Sequence, residues 1–418
     1  LACKCRKSVL SYEYILMFDE VSLKKKLTYD KSRDRIFGYS DIDPKSIADS
    51  ALVFMIKGVR LKKAQPLGYF LTAGPAKAHF IEQTIRSTIE KLANIGVKII
   101  ATVCDQGSNN LMALKTMGVH SDNPCFQIGN NGIVSIIDPP HLIKSTRNCL
   151  SNKSNSIQFE EEKCPRWEDI EYVYSRSCND NFRMCPKLTE GHINVKNKLK
   201  VKLASQVLSR SVGTAIRYLY LSGELSSDDT SKFVLKFDDI FDSVNGHELY
   251  STKTLKSAIT SQSPHLTFFL DSISWLKTIS ISRNGKNVTK KFKFVEGWIQ
   301  TLTGFSKLWT RSNDPVLFTR TFNQDCLENF FGKLRQKTGM GGLLTPQSFI
   351  AAFEQLSFQN AVSISDEGNC EEDGTEIMLP AHQILDICLK DKTYLERVEE
   401  VEEPPSDKTG QVSKIPKM

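Results

Sequence analysis

The apolar positions fall into blocks whose spacing changes along the chain. "YILMFDE" (Tyr14 to Glu20), "ALVFMIKGV" (Ala51 to Val59) and "PLGYFLTAG" (Pro66 to Gly74) are nearly continuous apolar runs punctuated by Gly and Pro. They predict three buried strands in a meander. The period then switches: Phe80, Ile81, Thr84, Ile85, Ile89 and Leu92 share one helical face, with Gly96 as a C-cap. "VKIIATVCD" (Val97 to Asp105) predicts a strand ending in an acid, and "SNNLMALKTMG" (Ser108 to Gly118) a helix with a Ser or Asn cap. "IVSIIDPPH" (Ile133 to His141) predicts a strand stopped by two prolines, and "LIKSTRNCL" a helix after it.

Three leading strands followed by helix and strand in alternation describe an α/β sheet with an antiparallel and a parallel side. This is the order of an RNase H-like mixed sheet, in which carboxylates gather at adjacent ends of the middle strands. Near residue 151 the texture changes, with a polar break at "SNKSNSIQFEEEKCPRW". Residues 198–223 predict one long helix or two, and 229–246 another, with Phe233, Phe237, Ile240, Phe241 and Val244 at helical spacing. The expected organisation is residues 1–150 as the first part of the sheet domain and 151–310 as a mostly helical insertion. Residues 311–360 then carry the last helix of the sheet domain, and 361–418 form an acidic, largely disordered tail with one short helix at "PAHQILDICL".

Composition narrows the class. The chain has 418 residues, 40% hydrophobic, with 23 Phe, enough for a sizeable core in two or three domains. Its 11 cysteines include no C-x-x-C, and Cys3 and Cys5 stand too close for an ordinary zinc pair, so reduced thiols of an intracellular protein are expected. No apolar run approaches the ~18 residues of a membrane span, and the N-terminus lacks signal-peptide organisation. The chain starts at Leu1 and reaches a buried-type strand soon after, which suggests a piece of something longer. The net charge of +7 permits a polyanionic partner, and acidic runs at 366–373 and 396–403 leave the remainder more basic. A solvated surface with an acidic tail accounts for the charge equally well.

Asp19 and Asp105 end apolar strands, and Glu328 lies on a helix far downstream. Two strand-end aspartates and a helix glutamate are what a two-metal phosphoryl-transfer site needs, since paired Mg²⁺ ions require shared carboxylate oxygens on rigid elements. An acid after a strand is also an ordinary turn or cap residue. Within "FNQDCLENFFGKLR" (Phe322 to Arg335), Leu327, Phe330, Phe331 and Leu334 form the core stripe, and Asp325, Glu328, Gly332 and Arg335 line its flank. That pattern fits a catalytic acid at the edge of the core, or an amphipathic boundary with Glu328 paired to a lysine. His141 after "DPP" fits a hydrogen-bonded structural role, or a contact to substrate phosphate or to the acids. No G-x-x-x-x-G-K-[ST] loop is present.

"FDE" at Asp19, "CDQGSNN" at 104–110, "DPPHLIKSTRN" at 138–148 and "NQDCLENFFGKLR" at 323–335, in this order, resemble the P-element family of cut-and-paste DNA transposases. The resemblance runs over roughly residues 14 to 356 and implies Asp19, Asp105 and Glu328 as the catalytic, metal-holding triad. Asp138 and His141 would form an adjacent D-x-x-H signature. It implies a helical GTP-binding insertion before the last catalytic helix, with Lys187, Lys202, Asp242, Asn245 and Asp325 as nucleotide residues. Lysines offset phosphate charge, an Asp accepts from a guanine N1–H and amino group, and an Asn hydrogen-bonds the O6 or N7 edge. As plain alternatives, Lys187 and Lys202 are surface lysines, and Asp242 and Asn245 a helix C-terminal turn. DNA phosphate contacts fall to Lys144, Arg147, Lys333, Arg335 and Lys337, each otherwise a solvated helix face.

The resemblance therefore implies a nuclear transposase core that cleaves and joins transposon ends and target DNA with two Mg²⁺ ions. GTP would be a cofactor that is not hydrolysed, and the protein a homo-oligomer on DNA. The family's N-terminal zinc domain and coiled coil are not visible in this sequence. A domesticated DNA- or partner-binding protein without catalysis, and an RNase H-like nuclease acting on RNA–DNA hybrids, are the rival expectations.

Overall fold

The computed structural model describes residues 13–61, 63–179, 183–194, 200–312, 314–337, 344–358 and 376–377. The expected helix at 380–389, the acidic runs, and Cys3 and Cys5 lie outside them. Strands β1 (Glu13–Ser22), β4 (Ser50–Gly58) and β5 (Lys63–Thr72) form the antiparallel side of the main sheet. Between β1 and β4 sits a small hairpin of β2 (Thr28–Asp30) and β3 (Arg35–Phe37), which the hydrophobic pattern did not announce. Helix α1 (Ala78–Asn94) leads to β6 (Lys98–Cys104), and α2 (Ser108–Thr116) to the hairpin β7 (Cys125–Ile128) and β8 (Asn131–Ile137). β6 pairs in parallel with both β1 and β8. With β12 (Glu376–Ile377) beside β5, the order across the sheet is β12-β5-β4-β1-β6-β8-β7, the mixed sheet expected.

Helix α3 begins at Pro139, earlier than the two prolines suggested, and runs to Leu150. Proline stops a strand, yet it suits the first helical turn, where its missing N–H has no partner to lose. The insertion follows: β9 (Ser156–Gln158), α4 (Trp167–Asn179), α5 (Glu190–Ile193), α6 (Val201–Val207), α7 (Arg210–Leu221), α8 (Asp229–Ser243) and α9 (His265–Lys277). Its last strands are β10 (Ser280–Arg283), paired with β9, and β11 (Lys286–Asn287). The expected long helix at 198–223 is two, broken at Leu208–Ser209. The aromatic core of the insertion joins Phe159, Phe233, Phe237 and Trp275 with ring centroids 4.8–6.0 Å apart.

The chain then returns to the sheet through α10 (Lys293–Arg311), α11 (Asp325–Lys337) and α12 (Pro346–Phe358). Ring contacts fix which face each helix covers. Phe80 of α1 meets Phe70, which meets Phe54, which stacks on Phe18. On the opposite pleat, Phe349 and Phe353 of α12 meet Tyr69, and Cys326 of α11 lies 3.5 Å from Met17 and 3.7 Å from Met55. Side chains alternate along a strand, so Asp19 shares the face of Met17 and therefore that of α11.

Helix α10, expected within the insertion, packs on β8 as well as on the insertion, where Trp298 meets Phe237 (6.2 Å) and Phe305 meets Phe269 (6.4 Å). Thr301 Oγ1 donates to Ile137 O (3.0 Å) and accepts from Ile137 N (3.2 Å). Trp298, fully buried, donates to Thr146 Oγ1 at 3.0 Å. The approach is close because glycines stand two turns apart at 297 and 304. A methyl added at Gly304 would lie 2.5 Å from Ile136 Cδ1, and one at Gly297 2.6 Å from Leu142 Cδ2. Gly304→Leu should therefore destabilise the chain by about 2 kcal/mol despite the better helix propensity of Leu. Chemical denaturation would measure this, and an unchanged midpoint would refute the close-packing account.

Candidate active site

The parallel register Leu16↔Thr102 and Met17↔Val103 carries Asp19 beside Asp105, which follows the end of β6. Asp19, expected to end its strand, lies three residues inside β1, which stays paired with β4 to Ser22. "CDQGSNN" builds the support for Asp105: its Oδ1 accepts from Gly107 N (2.8 Å) and Asn110 Nδ2 (2.7 Å) as the chain turns into α2. A Cβ at Gly107 would lie 2.9 Å from that same oxygen, so this approach of backbone to carboxylate requires glycine. Asp19 Oδ1 accepts from Glu20 N at 2.8 Å. Burial, then the charge of Asp105, pushes the Asp19 carboxyl up to about 7, with Glu328 adding to the rise and His141 opposing it. Glu20 is also raised, by burial first and more weakly by Asp105 and Asp49, and its Oε1 accepts from Ala76 N at 2.7 Å.

Asp138 has no exposed surface, and its two oxygens serve two elements. Oδ2 caps α3 by accepting from His141 N (3.0 Å), and Oδ1 accepts from Gln324 N (2.7 Å). Gln324 in turn donates through Nε2 to Phe18 O at 2.9 Å. Burial pushes Asp138 up to about 6, against the influence of His141 and these backbone donors. The start of α11 is thus tied both to the helix after β8 and to β1 beside Asp19.

One turn into α11, Glu328 Oε1 lies 3.0 Å from His141 Nε2, and His141 Nδ1 lies 4.0 Å from Asp138 Oδ2. Burial alone would lower the imidazole. The Glu328 hydrogen bond and the Asp138 charge outweigh it and lift His141 to about 9, with Lys144 opposing. The structure thus brings together Asp19, Asp105, Asp138, His141 and Glu328. Hard carboxylate oxygens gathered in a buried site, where burial first and the charge of Asp105 second raise Asp19 toward neutrality, are a donor set that fits divalent cations. Among the described residues no three acids, histidines or cysteines are already drawn to metal-holding spacing. Here Glu328 is occupied by His141.

The basic candidates divide. Lys144 and Lys333 are half-buried, and Arg335 and Lys337 are exposed. Arg147, expected to reach phosphate, has no exposed surface: it lies in the core, its Nε donating to Asn148 Oδ1 at 2.9 Å, and burial pushes it down to about 10. It is set aside as a phosphate contact.

The nucleotide candidates divide as well. Lys187 and Lys202 are exposed. Asp242, buried at the end of α8, meets Lys253 Nζ at 2.6 Å, and Lys253 also meets Asp238 at 2.8 Å. Asn245 is half-buried in the turn after α8, its N–H bonded to Asp242 O at 3.1 Å. That turn reaches the start of α11 through a segment the motifs did not flag. Gly246 N donates to Thr319 Oγ1 (2.9 Å), Arg320 N donates to Gly246 O (3.1 Å), and the Arg320 guanidinium lies 3.6 Å from Asp325. Asp325 Oδ2 also accepts from Asn323 Nδ2 at 2.7 Å. Exposed lysines with a buried Asp and Asn fit a guanine nucleotide in kind, with Lys253 already sharing the acid. A separate cavity of about 820 Å³ in the insertion is lined by Arg176, Arg210, Tyr218, Glu224, Asp238 and Lys253 among others, and by none of the five expected residues.

Sequence reasoning missed Gln324, Arg320, Asn110 and Glu20. Three of these stood inside quoted motifs, where a polar residue beside a catalytic acid is itself the signal.

The His141–Glu328 pair sets a pH dependence. An imidazole raised from 6.5 to about 9 contributes stability that is fully present below pH 6.5 and is lost as pH rises through 9. In metal-free buffer, His141→Gln should lower unfolding free energy near pH 6 by at most ~3 kcal/mol, and the deficit should vanish by about pH 10. A deficit independent of pH, measured by denaturant titration, would mean that the pair is not ionic.

Two domain models match the chain: "TNP-like, RNase H N-terminal domain" over residues 1–118, and "TNP-like, GTP-binding insertion domain" over residues 140–258. Human DNA transposase THAP9 is 27% identical over 391 residues, covering 85% of this chain and 42% of that protein. The Transposable element P transposase of Drosophila melanogaster is 25% identical over 347 residues, covering 80% of this chain and 44% of that protein. The chain thus spans less than half the length of either curated relative. A solved structure, the Drosophila P element transposase strand transfer complex, superposes with a TM-score of 0.72 at 22% identity, covering 84% of this chain and 78% of that one; at this identity what is shared is the fold. With its RNase H N-terminal part and its insertion each matched by a TNP-like model, together over more than half of the chain, and with two similar proteins that are named transposases, the chain belongs to the family of P-element-type transposases.

Proposed function

We propose that this chain is the catalytic core of a cut-and-paste DNA transposase, cleaving phosphodiester bonds at transposon ends and joining them to target DNA in the nucleus. What carries this conclusion is the convergence of Asp19, Asp105 and Glu328 at one edge of the sheet, with Asp19 raised to about 7 by burial and by its neighbour. Burial raises the capping acid Asp138 too; what distinguishes Asp19 is the added charge of Asp105 beside it, and acids paired in this way are placed to receive cations.

Asp19, Asp105 and Glu328 would hold two Mg²⁺ ions. Bound there, the ions supply Lewis acidity toward the phosphodiester. The chain's own groups prepare the site. Gly107 and Asn110 fix the Asp105 carboxylate, and Asp138 with Gln324 fixes the start of α11. His141 neutralises Glu328 until a cation takes that role. Lys144, Lys333, Arg335 and Lys337 remain the candidates for DNA phosphate. GTP would be held by Lys187, Lys202, Asp242, Asn245 and Asp325 without hydrolysis, and DNA-bound chains would form a homo-oligomer. The segment through Thr319 and Arg320 supports a structural link between nucleotide and metal sites, since it joins the end of α8 to α11.

Asp105→Asn should reduce Mg²⁺-dependent cleavage of transposon-end duplexes to background while leaving the fold intact. Undiminished cleavage would refute the assignment, and a wild-type chain that binds DNA but takes up no Mn²⁺ would favour a binding protein without catalysis. Asp242→Ala should weaken GTP binding about tenfold or more, measured by calorimetry, without changing Mn²⁺ uptake. Equal GTP affinity would remove Asp242 from the nucleotide site.

A further inference from the structure

Beyond Asp19 the chain continues along β1 to Ser22 and leaves the sheet on the side of the acids. Six cations follow within twelve positions: Lys24, Lys25, Lys26, Lys31, Arg33 and Arg35, all exposed. Two acids interrupt them, and both brace the β2–β3 hairpin. Asp30 Oδ1 accepts from Ser32 N (2.9 Å) and Ser32 Oγ (2.6 Å), closing the turn, and Asp34 accepts from Tyr29 OH at 2.6 Å. The hairpin is thus a built element that presents its basic residues in a fixed arrangement.

Its apolar residues are placed unusually. Tyr29 and Ile36 stand directly opposite each other in the register and are 55% and 49% exposed. Phe37 alone turns inward, with the Arg35 guanidinium 5.5 Å from its ring centroid. An outward aromatic–aliphatic pair amid cations suits a partner that is anionic on its rim and apolar between its charges, as a nucleic-acid backbone with its sugars is. The lead-in is anchored: Leu23 N donates to Asp49 O and Lys24 N to Leu344 O, both at 2.7 Å. Leu344 leads into α12, which packs on α11 through Phe353 and Phe330 with ring centroids 5.6 Å apart.

We propose that the β2–β3 hairpin and its lead-in Lys24–Lys26 form a docking surface for the phosphate backbone of duplex DNA running past the acid cluster. The proposal rests on the reading of the chain as one that acts on DNA, and adds where the duplex lies. Charge complementarity favours this occupant, and the position beyond Asp19 along β1 gives it a path to the scissile bond.

The test is fluorescence anisotropy of the full chain with a random-sequence DNA duplex across a salt series, without Mg²⁺. Lys31→Ser/Arg33→Ser changes only exposed turn side chains and keeps the Asp30 bonds, and thermal melting checks its fold. It should weaken binding about tenfold and lower the slope of log affinity against log salt by about two. Lys91→Ser/Lys115→Ser, on exposed ends of α1 and α2 away from the acids, should leave that slope within about half a unit of its starting value. Equal affinity and slope for the hairpin variant would overturn the docking surface while leaving the DNA reading intact. A wild-type chain that binds no duplex would overturn both. Tighter binding to vesicles of phosphatidylcholine and phosphatidylserine than to duplex, lost in the hairpin variant, would reassign the surface to membranes. A hairpin effect on DNA together with catalytically silent acids would uphold the surface and remove the transposase reading.

Discussion

One buried carboxylate holds the two halves of the sheet domain together. Asp138 caps α3 with one oxygen and receives the Gln324 amide with the other, across 186 positions of sequence. Buried and without exposed surface, it needs both donors to be tolerable there. Those donors are also what aim His141 and α11 at the strand ends. If Asp138 lost either bond, Glu328 would be held relative to Asp19 only by the Gln324–Phe18 hydrogen bond and the apolar stripe, Cys326 against Met17 among it.

This dependence explains the charge pattern of the site. Three acids brought together by backbone-level contacts repel one another, and the structure relieves the strain at two points. Asp19 retains its proton up to about 7, and Glu328 shares the proton of His141. Asp105 sits differently, its oxygen bonded to Gly107 and Asn110, so it is the positional anchor of the set.

Much of the fold was legible because its strands are largely buried and read as apolar runs: β1, β4, β6 and β8 followed from that signal, and the half-buried β5 from its apolar run between Pro66 and Gly74. What escaped was short, exposed or punctuated in an unexpected way. The β2–β3 strands are three residues each and carry Tyr29 and Ile36 outward with only Phe37 turned in, too short a run for alternation to mark them. Pro139 and Pro140 looked like a stop and were a helix start. Helix α10 has a strong apolar face, but only its tertiary partners, Ile136 and Leu142 against Gly304 and Gly297, assign it to the sheet domain. The acids Asp19, Asp105 and Glu328 were visible because strand ends and helix flanks are patterned positions. Arg147 was misjudged because a cation in a helix gives no local sign that its face is buried, and Arg320 was invisible because its backbone partner, Gly246, is distant in sequence and adjacent only in the fold.

The pairing of β9 with β10 has a consequence for how such a chain can be assembled. Ser156 to Gln158 lie against Ser280 to Ser282, so the insertion leaves and rejoins at one place. The ladder closes this long excursion of the chain locally, which lowers the chain-closure entropy of bringing α10 back to β8. The neck is not the whole attachment: Gly246 meets Thr319 and Arg320, and Ile259 pairs with Leu317. An insertion lengthened or exchanged over evolution would have to keep these contacts to leave α11 undisturbed.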